Sequence, residues 1–262
     1  MDYITLNNGI QMPMLGYGVY QIPNVQTKDR VLEALEVGYR LIDTAQYYGN
    51  ERGVGDAIKA SGIPRKEIFI TTKLKSNQNV DRLIDQSLAD LQTDYIDLLL
   101  IHWVMGNDLA TWRVMENAVR SGKVRAIGLS NFYESAYDNI ISKADILPAV
   151  NQIEHHILRQ NESFHKRLDE TGTVLEAWAP FGEGKAGIFQ NPTVKVIADK
   201  YDKTSAQVML RFYLQSGVVA IPKSSHKIRM AENFDIFDFN LSVQDMTNLK
   251  SLNQERDLFG WY

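Results

Sequence analysis

Apolar and polar residues alternate along the first dozen positions of the chain. Ile4 and Leu6 alternate with polar residues, and Ile10 and Met12 resume the pattern after Asn8-Gly9. This dipeptide suits a type I′ turn, because both central residues of such a turn need a positive φ. The pattern therefore predicts a small β-hairpin at the start of the chain.

From residue 14 onward, short apolar runs alternate with segments whose apolar residues have helical spacing. The predicted strands are 14–19, 41–45, 68–74, 96–103, 124–131, 149–156, 173–180 and 218–223. The predicted helices are 29–38, 50–60, 80–92, 108–121, 134–143, 161–171, 192–201, 204–216, 227–233 and 243–252.

This strict alternation, at a spacing of roughly 30 residues, predicts a parallel sheet. Eight such units within 262 residues favour a closed barrel over an open sheet. We therefore predict the α/β class and a (β/α)8 TIM barrel, with an N-terminal β-hairpin and extra helices near the C-terminus. We expect one domain that spans residues 1–262.

Charge and composition exclude several classes of protein. The net charge is −4 and the sequence pI is about 5.8, whereas nucleic acids and membrane surfaces attract basic faces. The chain has no cysteine, which excludes disulfides, thiol nucleophiles and Cys-ligated zinc. We predict no metal site, because His155 and His156 are strand neighbours and point to opposite faces.

The N-terminus has an acid at position 2 and no apolar run, so we expect no signal peptide. No apolar stretch approaches the roughly 20 residues that span a bilayer. The sequence therefore predicts a cytoplasmic protein that binds a small molecule, with no nucleic-acid or membrane partner.

Polar side chains follow the predicted strands at the end where barrels of this type carry their active site. Asp43, Lys73 and His102 each follow an apolar run, and Tyr48 comes shortly after Asp43. Adjacent strands lie about 4.8 Å apart, so Asp43 and Lys73 can pair directly. A rim ion pair without a catalytic role is the alternative for these two, and a hydrogen-bonded core imidazole is the alternative for His102.

Tyr48 makes proton transfer the favoured interpretation of this group. A free phenol has a pKa of about 10, and a nearby ammonium group lowers that pKa. A tyrosine beside Lys73, which Asp43 holds in turn, is therefore predicted to be a proton donor with a lowered pKa. His102 could hydrogen-bond the same substrate oxygen, which suggests reduction of a carbonyl group.

Carbonyl reduction also needs a hydride source, and segment 221–233 indicates one. It places Lys223, Lys227 and Arg229 at the last strand and at the opening of the next helix. A flexible lysine and a fork-shaped arginine suit an extra phosphate, which favours NADPH over NADH. Trp178, at a strand end, offers a flat face for a nicotinamide ring. A solvated basic helix start and an ordinary rim aromatic are the alternatives.

The sequence also contains features of other functions. Residues 182–187 read G-x-G-x-x-G, but they precede a loop rather than open a helix, which argues against a Rossmann dinucleotide site. A hydrolase or lyase that uses Asp43 and Glu154 is a second possibility. A non-enzymatic NADPH-binding regulatory protein on the same fold is a third, although it would not need a tuned acid.

Three stretches of the chain resemble signatures of the aldo-keto reductase family, and the resemblance extends from the hairpin to about Asn253. They are GYRLIDTAQYYGNERGVG (38–55), VRAIGLSNF (124–132) and IPKSSHKIRMAEN (221–233). The chain is most similar to bacterial members of the 2,5-diketo-D-gluconate reductase type, including the stretch EAWAPFGEGK. The resemblance implies an NADP(H)-dependent reductase of aldehydes or ketones, and a monomer.

The resemblance also implies roles for individual residues. The implied catalytic residues are Asp43, Tyr48, Lys73 and His102, with Tyr48 as proton donor and His102 orienting the carbonyl. The implied substrate contacts are Tyr20, Tyr48, His102 and Trp103. The implied cofactor contacts are Val19, Asp43, Ser130, Asn131, Gln152, Trp178, Phe181, Gly182, Gly184, Lys223, Ser224, Arg229, Glu232 and Asn233.

Within the cofactor set, Ser130, Asn131 and Gln152 would hold the carboxamide and Trp178 would stack on the nicotinamide. Loop 181–187 would clasp the pyrophosphate. Lys223, Ser224 and Arg229 would hold the 2′-phosphate, with Glu232 and Asn233 near the adenine.

Two departures from the family pattern concern the substrate pocket. The family has a proline and a longer loop after His-Trp, where this chain has Val104-Met105-Gly106. The tail beyond Asn253 is short and ends DLFGWY. Because both regions wall the pocket in the family, we expect an open pocket and a broad range of substrates.

Overall fold

The N-terminal hairpin is present in the computed structural model, which describes residues 1–261. Strands β1 (Tyr3–Thr5) and β2 (Gln11–Pro13) pair antiparallel, with Ile4 opposite Met12. Leu6 and Met12 are buried in the apolar cluster that fills one end of the barrel. The hairpin therefore covers the end at which the barrel strands begin.

A parallel sheet of eight strands follows the hairpin, and its order is the order of the chain. The strands are β3 (Tyr17–Gly18), β4 (Leu41–Asp43), β5 (Phe69–Leu74), β6 (Ile96–Ile101), β7 (Val124–Ser130), β8 (Val150–Glu154), β9 (Val174–Trp178) and β10 (Val219–Ala220). The sheet closes where Leu15 bridges Ala220 and the Gly18 N–H donates to the Pro222 carbonyl at 3.1 Å. The predicted barrel is confirmed, although β10 is shorter than predicted because Pro222 has no N–H to extend the ladder.

Helices connect the strands and pack around the barrel. They are α1 (Asn24–Val37), α2 (Glu51–Ser61), α3 (Val80–Leu91), α4 (Asp108–Arg120), α5 (Glu134–Ile141), α6 (Glu162–Asp169), α7 (Pro192–Tyr201), α8 (Ser205–Gln215), α9 (Lys227–Phe234) and α10 (Val243–Lys250). The extra helices predicted near the C-terminus are α7, which precedes α8, and α10. Within residues 1–261, none of the helices has the length and apolar character needed to cross a membrane.

Alternate residues of each strand point into the barrel, and this inward row changes from apolar to polar along the strand. On β5, Phe69 belongs to the interior apolar cluster, whereas Ile70 packs with the residues that face the helices. Thr71 and Lys73 continue the inward row and are fully buried. The result is an apolar lower interior that carries a layer of buried polar groups at the carboxyl ends of the strands.

Gly128 on β7 allows β8 to approach closely, which can be tested by substitution. A Cβ atom at this position would lie 2.7 Å from Leu100 Cδ2 and closer still to the Val150 carbonyl oxygen. Gly128→Ala should therefore lower the free energy of unfolding by about 3 kcal/mol, since the backbone of β8 must move. Urea denaturation would measure the loss.

Gly62→Ala is the matched control, because no heavy atom lies within 4 Å of its Cβ position, although its φ is +70°. Left-handed strain alone should cost about 1 kcal/mol there. A loss for Gly128→Ala no larger than that of the control would contradict close strand packing at β7.

Candidate active site

The buried ion pair between Asp43 and Lys73 lies at the centre of the polar layer. Lys73 Nζ is 2.7 Å and 2.8 Å from the two Asp43 carboxylate oxygens, and 3.0 Å from the Thr44 carbonyl oxygen. Both side chains are almost fully excluded from water. The predicted contact between these residues is therefore present, and it arises because β4 and β5 are hydrogen-bonded neighbours.

The charge of Lys73 is maintained by this pairing. Burial alone disfavours an ammonium group, but the adjacent Asp43 carboxylate and the Tyr48 phenol outweigh it and raise the pKa of Lys73. The backbone carbonyl of Thr44 occupies a third donor position of the ammonium. Lys73 is thus a fixed positive charge directed at the neighbouring loop.

Tyr48 lies at the end of a 3-10 turn, Gln46–Tyr48, directly after β4. Its hydroxyl oxygen is 3.4 Å from Lys73 Nζ. Gln46 holds the turn in place, since its amide donates to the Leu83 carbonyl at 2.9 Å and to Ser87 Oγ at 2.8 Å. The phenol is therefore positioned by the packing of α3 as well as by Lys73.

The predicted lowering of the Tyr48 pKa is wrong. Burial of the phenol raises its pKa, and the Lys73 ammonium opposes this effect without overcoming it. The sequence correctly predicted that a nearby cation lowers the pKa of the phenol. It could not predict that burial at the barrel mouth raises this pKa by more. Tyr48 therefore retains its proton at neutral pH and can donate it only to a strongly basic oxygen.

His102 follows β6 and lines the same cavity as Tyr48. Burial, assisted by the Lys73 ammonium, lowers the pKa of its imidazole to about 3. Its ring lies edge-on to Tyr48 with 5.8 Å between centroids, and it stacks on Trp103 at 5.9 Å. The imidazole is consequently neutral under physiological conditions and can donate a hydrogen bond without carrying charge.

A second group of polar side chains extends the layer across β7, β8 and β9. Gln152 Nε2 donates to Asp43 Oδ2 at 2.9 Å and to Glu176 Oε2 at 2.8 Å. The Trp178 indole N–H donates to Asn131 Oδ1 at 2.8 Å, which fixes the orientation of the indole. These residues connect the ion pair to the flat face of Trp178.

One cavity of about 900 Å³ joins most of the predicted site residues. The predicted residues that line it are Tyr20, Asp43, Tyr48, His102, Trp103, Ser130, Gln152, Trp178, Phe181, Gly184, Lys223 and Arg229. Lys73 lies behind this surface, fully buried. Glu183, within the predicted loop 181–187, also lines the cavity. Other lining residues were not assigned to the site by the sequence analysis, among them Tyr47, Phe189 and Trp261.

Of these residues, Tyr47 had a recognisable signal, because it is an aromatic residue adjacent to Tyr48 in the loop after a strand. Glu176 does not line the cavity but accepts from Gln152, and it had a signal of its own, since a charged residue interrupts the apolar run TVLEAWAP. Trp261 had none, because the tail follows no periodic pattern.

The remaining predicted cofactor residues lie around this cavity rather than on its surface. Val19 is buried, and its N–H donates to the Asp43 carbonyl at 3.0 Å. Ser224 is buried in the turn before α9, where its hydroxyl oxygen accepts from the His226 N–H at 3.1 Å. Glu232 accepts from Thr204 Oγ1 at 2.8 Å, and Asn233 is buried on α9.

The basic segment divides into two parts. Lys223 and Arg229 are exposed side chains at the cavity, whereas Lys227 points to Glu36 and forms an ion pair of 2.6 Å with it. The end of the cavity next to α9 therefore carries two exposed cations, Lys223 and Arg229. This arrangement fits an anionic group, such as a phosphate, that approaches from solvent.

Loop 182–190 passes the cavity in 3-10 turns instead of a regular helix. Glu183 and Ala186 have positive φ values of 52° and 55°, and Gly184 and Gly187 have 77° and 63°. The glycines therefore do not open a helix, in agreement with the argument against a Rossmann site. They allow a left-handed course that brings Phe181 and Gly184 to the cavity.

The C-terminal tail crosses the pocket, so the expectation of an open pocket on this side is wrong. The Leu258 N–H donates to Glu154 Oε1 at 2.9 Å, and the Lys185 ammonium lies 3.9 Å above the Phe259 ring. These contacts bring Trp261 onto Trp178, with ring centroids 5.3 Å apart and an interplanar angle of 21°. The tail is short, but its aromatic residues and its hold on Glu154 let it reach the site.

The described part of the chain contains no group of three or more His, Cys, Asp or Glu side chains arranged to hold a metal ion. The site offers a neutral imidazole, a protonated phenol and a buried ion pair. Together they can donate hydrogen bonds, and one proton, to an oxygen atom in the cavity.

This chain is similar over nearly its whole length to known proteins of one family. The model of the aldo/keto reductase family matches residues 12–254. The chain is similar to the glyoxal reductase of Bacillus subtilis (strain 168), with 42% identity covering 97% of this chain and 94% of that protein. It is similar to the methylglyoxal reductase DkgA of Escherichia coli (strain K12), with 40% identity covering 97% and 94% of the two chains.

Solved structures give the same result. An aldo-keto reductase enzyme from a Medee basin deep-sea metagenome library has a TM-score of 0.94 and 41% identity, covering 98% of this chain and 97% of its own. An aldo/keto reductase from Brucella melitensis has a TM-score of 0.91 and 41% identity, covering 96% and 99%. With a family match over nearly its whole length, this chain belongs to the aldo/keto reductase family.

Proposed function

We propose that this protein reduces aldehydes or ketones to alcohols with NADPH as the hydride source, and that Tyr48 is the proton donor. The observation that carries the proposal is the 3.4 Å approach of the Tyr48 hydroxyl to the buried Lys73 ammonium, beside a neutral imidazole and on a cavity. The relatives named glyoxal reductase and methylglyoxal reductase support the reaction class.

In the proposed mechanism, the carbonyl oxygen of the substrate accepts hydrogen bonds from the Tyr48 hydroxyl and from the His102 imidazole. These bonds polarise the carbonyl and orient its carbon. Reduced nicotinamide supplies the hydride. The oxygen then becomes strongly basic, and Tyr48 donates its proton to it despite its raised pKa.

Lys73 and Asp43 act on the phenolate that remains on Tyr48. The ammonium at 3.4 Å stabilises this negative charge. The Asp43 carboxylate keeps the ammonium in position through both of its oxygens. Because the layer is buried, these electrostatic interactions are stronger than they would be in water. Tyr48 regains its proton from solvent after the alcohol leaves.

The residues around the cavity fit the cofactor. Gln152 and Ser130 line the cavity and offer the amide oxygen and the hydroxyl that would hold a carboxamide. Asn131 supports them, because its amide bonds Ser130 Oγ and the indole N–H of Trp178. Trp261 covers one face of Trp178, so a nicotinamide ring that stacks on this indole would use the face that the tail leaves uncovered. Lys223 and Arg229 would hold the 2′-phosphate that distinguishes NADPH from NADH.

The lining of the cavity near His102 favours small uncharged carbonyl compounds, such as the dicarbonyls named for the relatives. The side chains there are the aromatic residues Tyr20, Tyr47, Trp103 and Trp261. The cations among the described lining residues follow β10 or lie on α9, and β10 is four strands from β6 in the closed sheet. An anionic diketo acid would therefore find no exposed cation for its carboxylate near His102, since Lys73 is fully buried and paired with Asp43.

The proton-donor role can be tested with Tyr48→Phe. The variant should lose about 10³-fold in kcat with methylglyoxal, because general acid catalysis of this kind contributes roughly 10² to 10⁴. NADPH binding, measured by fluorescence, should persist because the phenol hydroxyl faces the substrate oxygen. Loss of NADPH absorbance measures turnover.

Tyr47→Phe is the matched control, since Tyr47 is the adjacent residue, lines the same cavity and packs its ring against His102 at 5.5 Å between centroids. It should lose less than about tenfold in kcat, because it supplies no proton. If Tyr48→Phe retained most of its kcat, the acid assignment would be wrong.

The phosphate site can be tested with Arg229→Ala. The variant should weaken NADPH binding by roughly 10-fold to 100-fold, because a hydrogen bond to a charged group contributes about 1.5–3 kcal/mol. NADH affinity should change little, since NADH has no 2′-phosphate. Titration calorimetry with both cofactors measures the two dissociation constants.

Lys227→Ala removes a cation of the same helix whose ammonium pairs with Glu36, so it should leave the NADPH dissociation constant near its original value. Equal losses for NADPH and NADH in Arg229→Ala would exclude a 2′-phosphate contact at this position.

The neutral state of His102 predicts a pH dependence of stability. Its pKa is about 3 in the folded chain and about 6.5 when unfolded, so the unfolded chain takes up this proton first as the pH falls. The free energy of unfolding should therefore decrease below pH 6.5 by up to about 1.4 kcal/mol per unit from this group.

His102→Asn should reduce this decrease by the share of one imidazole in denaturation curves recorded between about pH 6.5 and pH 4. His155, whose pKa burial also lowers to about 3, keeps its own share. Tyr48→Phe alters a neighbouring ring without removing an imidazole, and should keep the original slope. An unchanged slope in His102→Asn would mean that the imidazole is not kept neutral by the fold.

A further inference from the structure

Glu176 is a buried ionisable group that the proposed mechanism does not use. It lies on β9, two residues before Trp178, and its side chain is fully buried. Its register partner on β8 is Gln152, and its partner on β10 is Val219. It therefore belongs to the inward row, between the apolar interior and the cavity.

The contacts of Glu176 determine how Gln152 is oriented. Gln152 Nε2 donates both of its hydrogens to carboxyl groups, at 2.8 Å to Glu176 Oε2 and at 2.9 Å to Asp43 Oδ2. The Asp43 carboxylate, which also accepts from Lys73, can act only as an acceptor toward Gln152 and not as a donor. The amide nitrogen is thus committed to the interior, which leaves the amide oxygen of Gln152 available to accept from a group in the cavity.

The charge of Glu176 must be compatible with the ion pair next to it. The charged groups that face it across the interior are Asp43 and Lys73, which balance each other, and β10 presents only apolar side chains. A third charge in this layer would have no counterpart. Glu176 Oε1 is buried and has no hydrogen-bond partner among the described residues, and such an oxygen costs less free energy in a neutral carboxyl group than in a carboxylate.

The titration behaviour of the group agrees with the geometry. Burial, together with the Asp43 carboxylate, raises the pKa of Glu176 to about 8. Ionisation above this pH would place a second anion beside Lys73. That anion would compete with the Tyr48 phenolate for the ammonium.

We propose that Glu176 is a positioning residue of the reductase site: as a neutral carboxylic acid it turns the amide oxygen of Gln152 toward the cofactor carboxamide and leaves the charge of the Asp43–Lys73 pair undisturbed. The inference rests on the proposed NADPH-dependent function. It adds a residue that touches neither substrate nor cofactor and acts through Gln152 and Lys73.

The test compares Glu176→Ala with Glu176→Gln in the full chain. Glu176→Ala should weaken NADPH binding by about tenfold, because Gln152 loses one of its two acceptors. Binding of adenosine 2′,5′-bisphosphate should persist in the same variant, since this ligand has no nicotinamide. Glu176→Gln, whose amide oxygen can still accept from Gln152, should recover the lost NADPH affinity.

A pH profile separates positioning from a purely structural role. The wild-type kcat/KM for methylglyoxal should fall as the pH rises through about 8, because ionised Glu176 competes with the Tyr48 phenolate for the Lys73 ammonium. Glu176→Gln should lack this fall. Glu116→Gln is the matched control, because Glu116 is equally buried but lies on α4, outside the barrel. It should keep the wild-type profile.

Three results would overturn the proposal: NADPH affinity retained in Glu176→Ala, NADPH affinity lost equally in both variants, or an alkaline fall that persists in Glu176→Gln. If Glu176→Ala does not fold, the profile of Glu176→Gln decides alone. A wild-type protein that does not bind NADPH would refute the proposed function, and this result is recognisable before any variant is made.

Discussion

Lys73 and Asp43 form a salt bridge that is almost completely withdrawn from water. Burying either charge alone would cost much free energy. The pair can be buried because β4 and β5 are neighbouring strands that bring the two side chains into contact. Once the pair exists, its ammonium sets the electrostatic environment for Tyr48, helps to keep His102 neutral and faces Glu176. Every other polar side chain of the layer has to be compatible with this one dipole.

Neighbouring groups of the protein complete the hydrogen bonds of the ion pair. The Thr44 carbonyl accepts from Lys73, and the Gln152 amide N–H donates to Asp43. The apolar lower interior and the hairpin beneath it exclude water from that side. Only the carboxyl ends of the strands remain accessible, so a ligand can approach the polar layer from one direction.

The opening is narrowed by segments outside the barrel. Loop 182–190 and the C-terminal tail contact each other through Lys185 and Leu258, with 3.1 Å between the ammonium and the carbonyl oxygen. The tail is also held by Glu154 at the end of β8. The tail and the loop, which both line the cavity, are therefore connected, so a movement of one segment would displace the other.

The sequence determined the architecture and most members of the site. Periodicity of apolar residues is a local property, so strands, helices and their order could be read directly, and parallel strands bring their carboxyl ends together. Asp43, Lys73 and His102 could be found in this way because each follows an apolar run at that end. Only the tertiary structure decided what depends on water and on distant segments: the raised pKa of Tyr48, the neutral His102, the pairing of Lys227 with Glu36, and the position of Trp261 on Trp178. These features arise from contacts between residues far apart in the chain, and neither periodicity nor spacing encodes how completely such contacts exclude solvent.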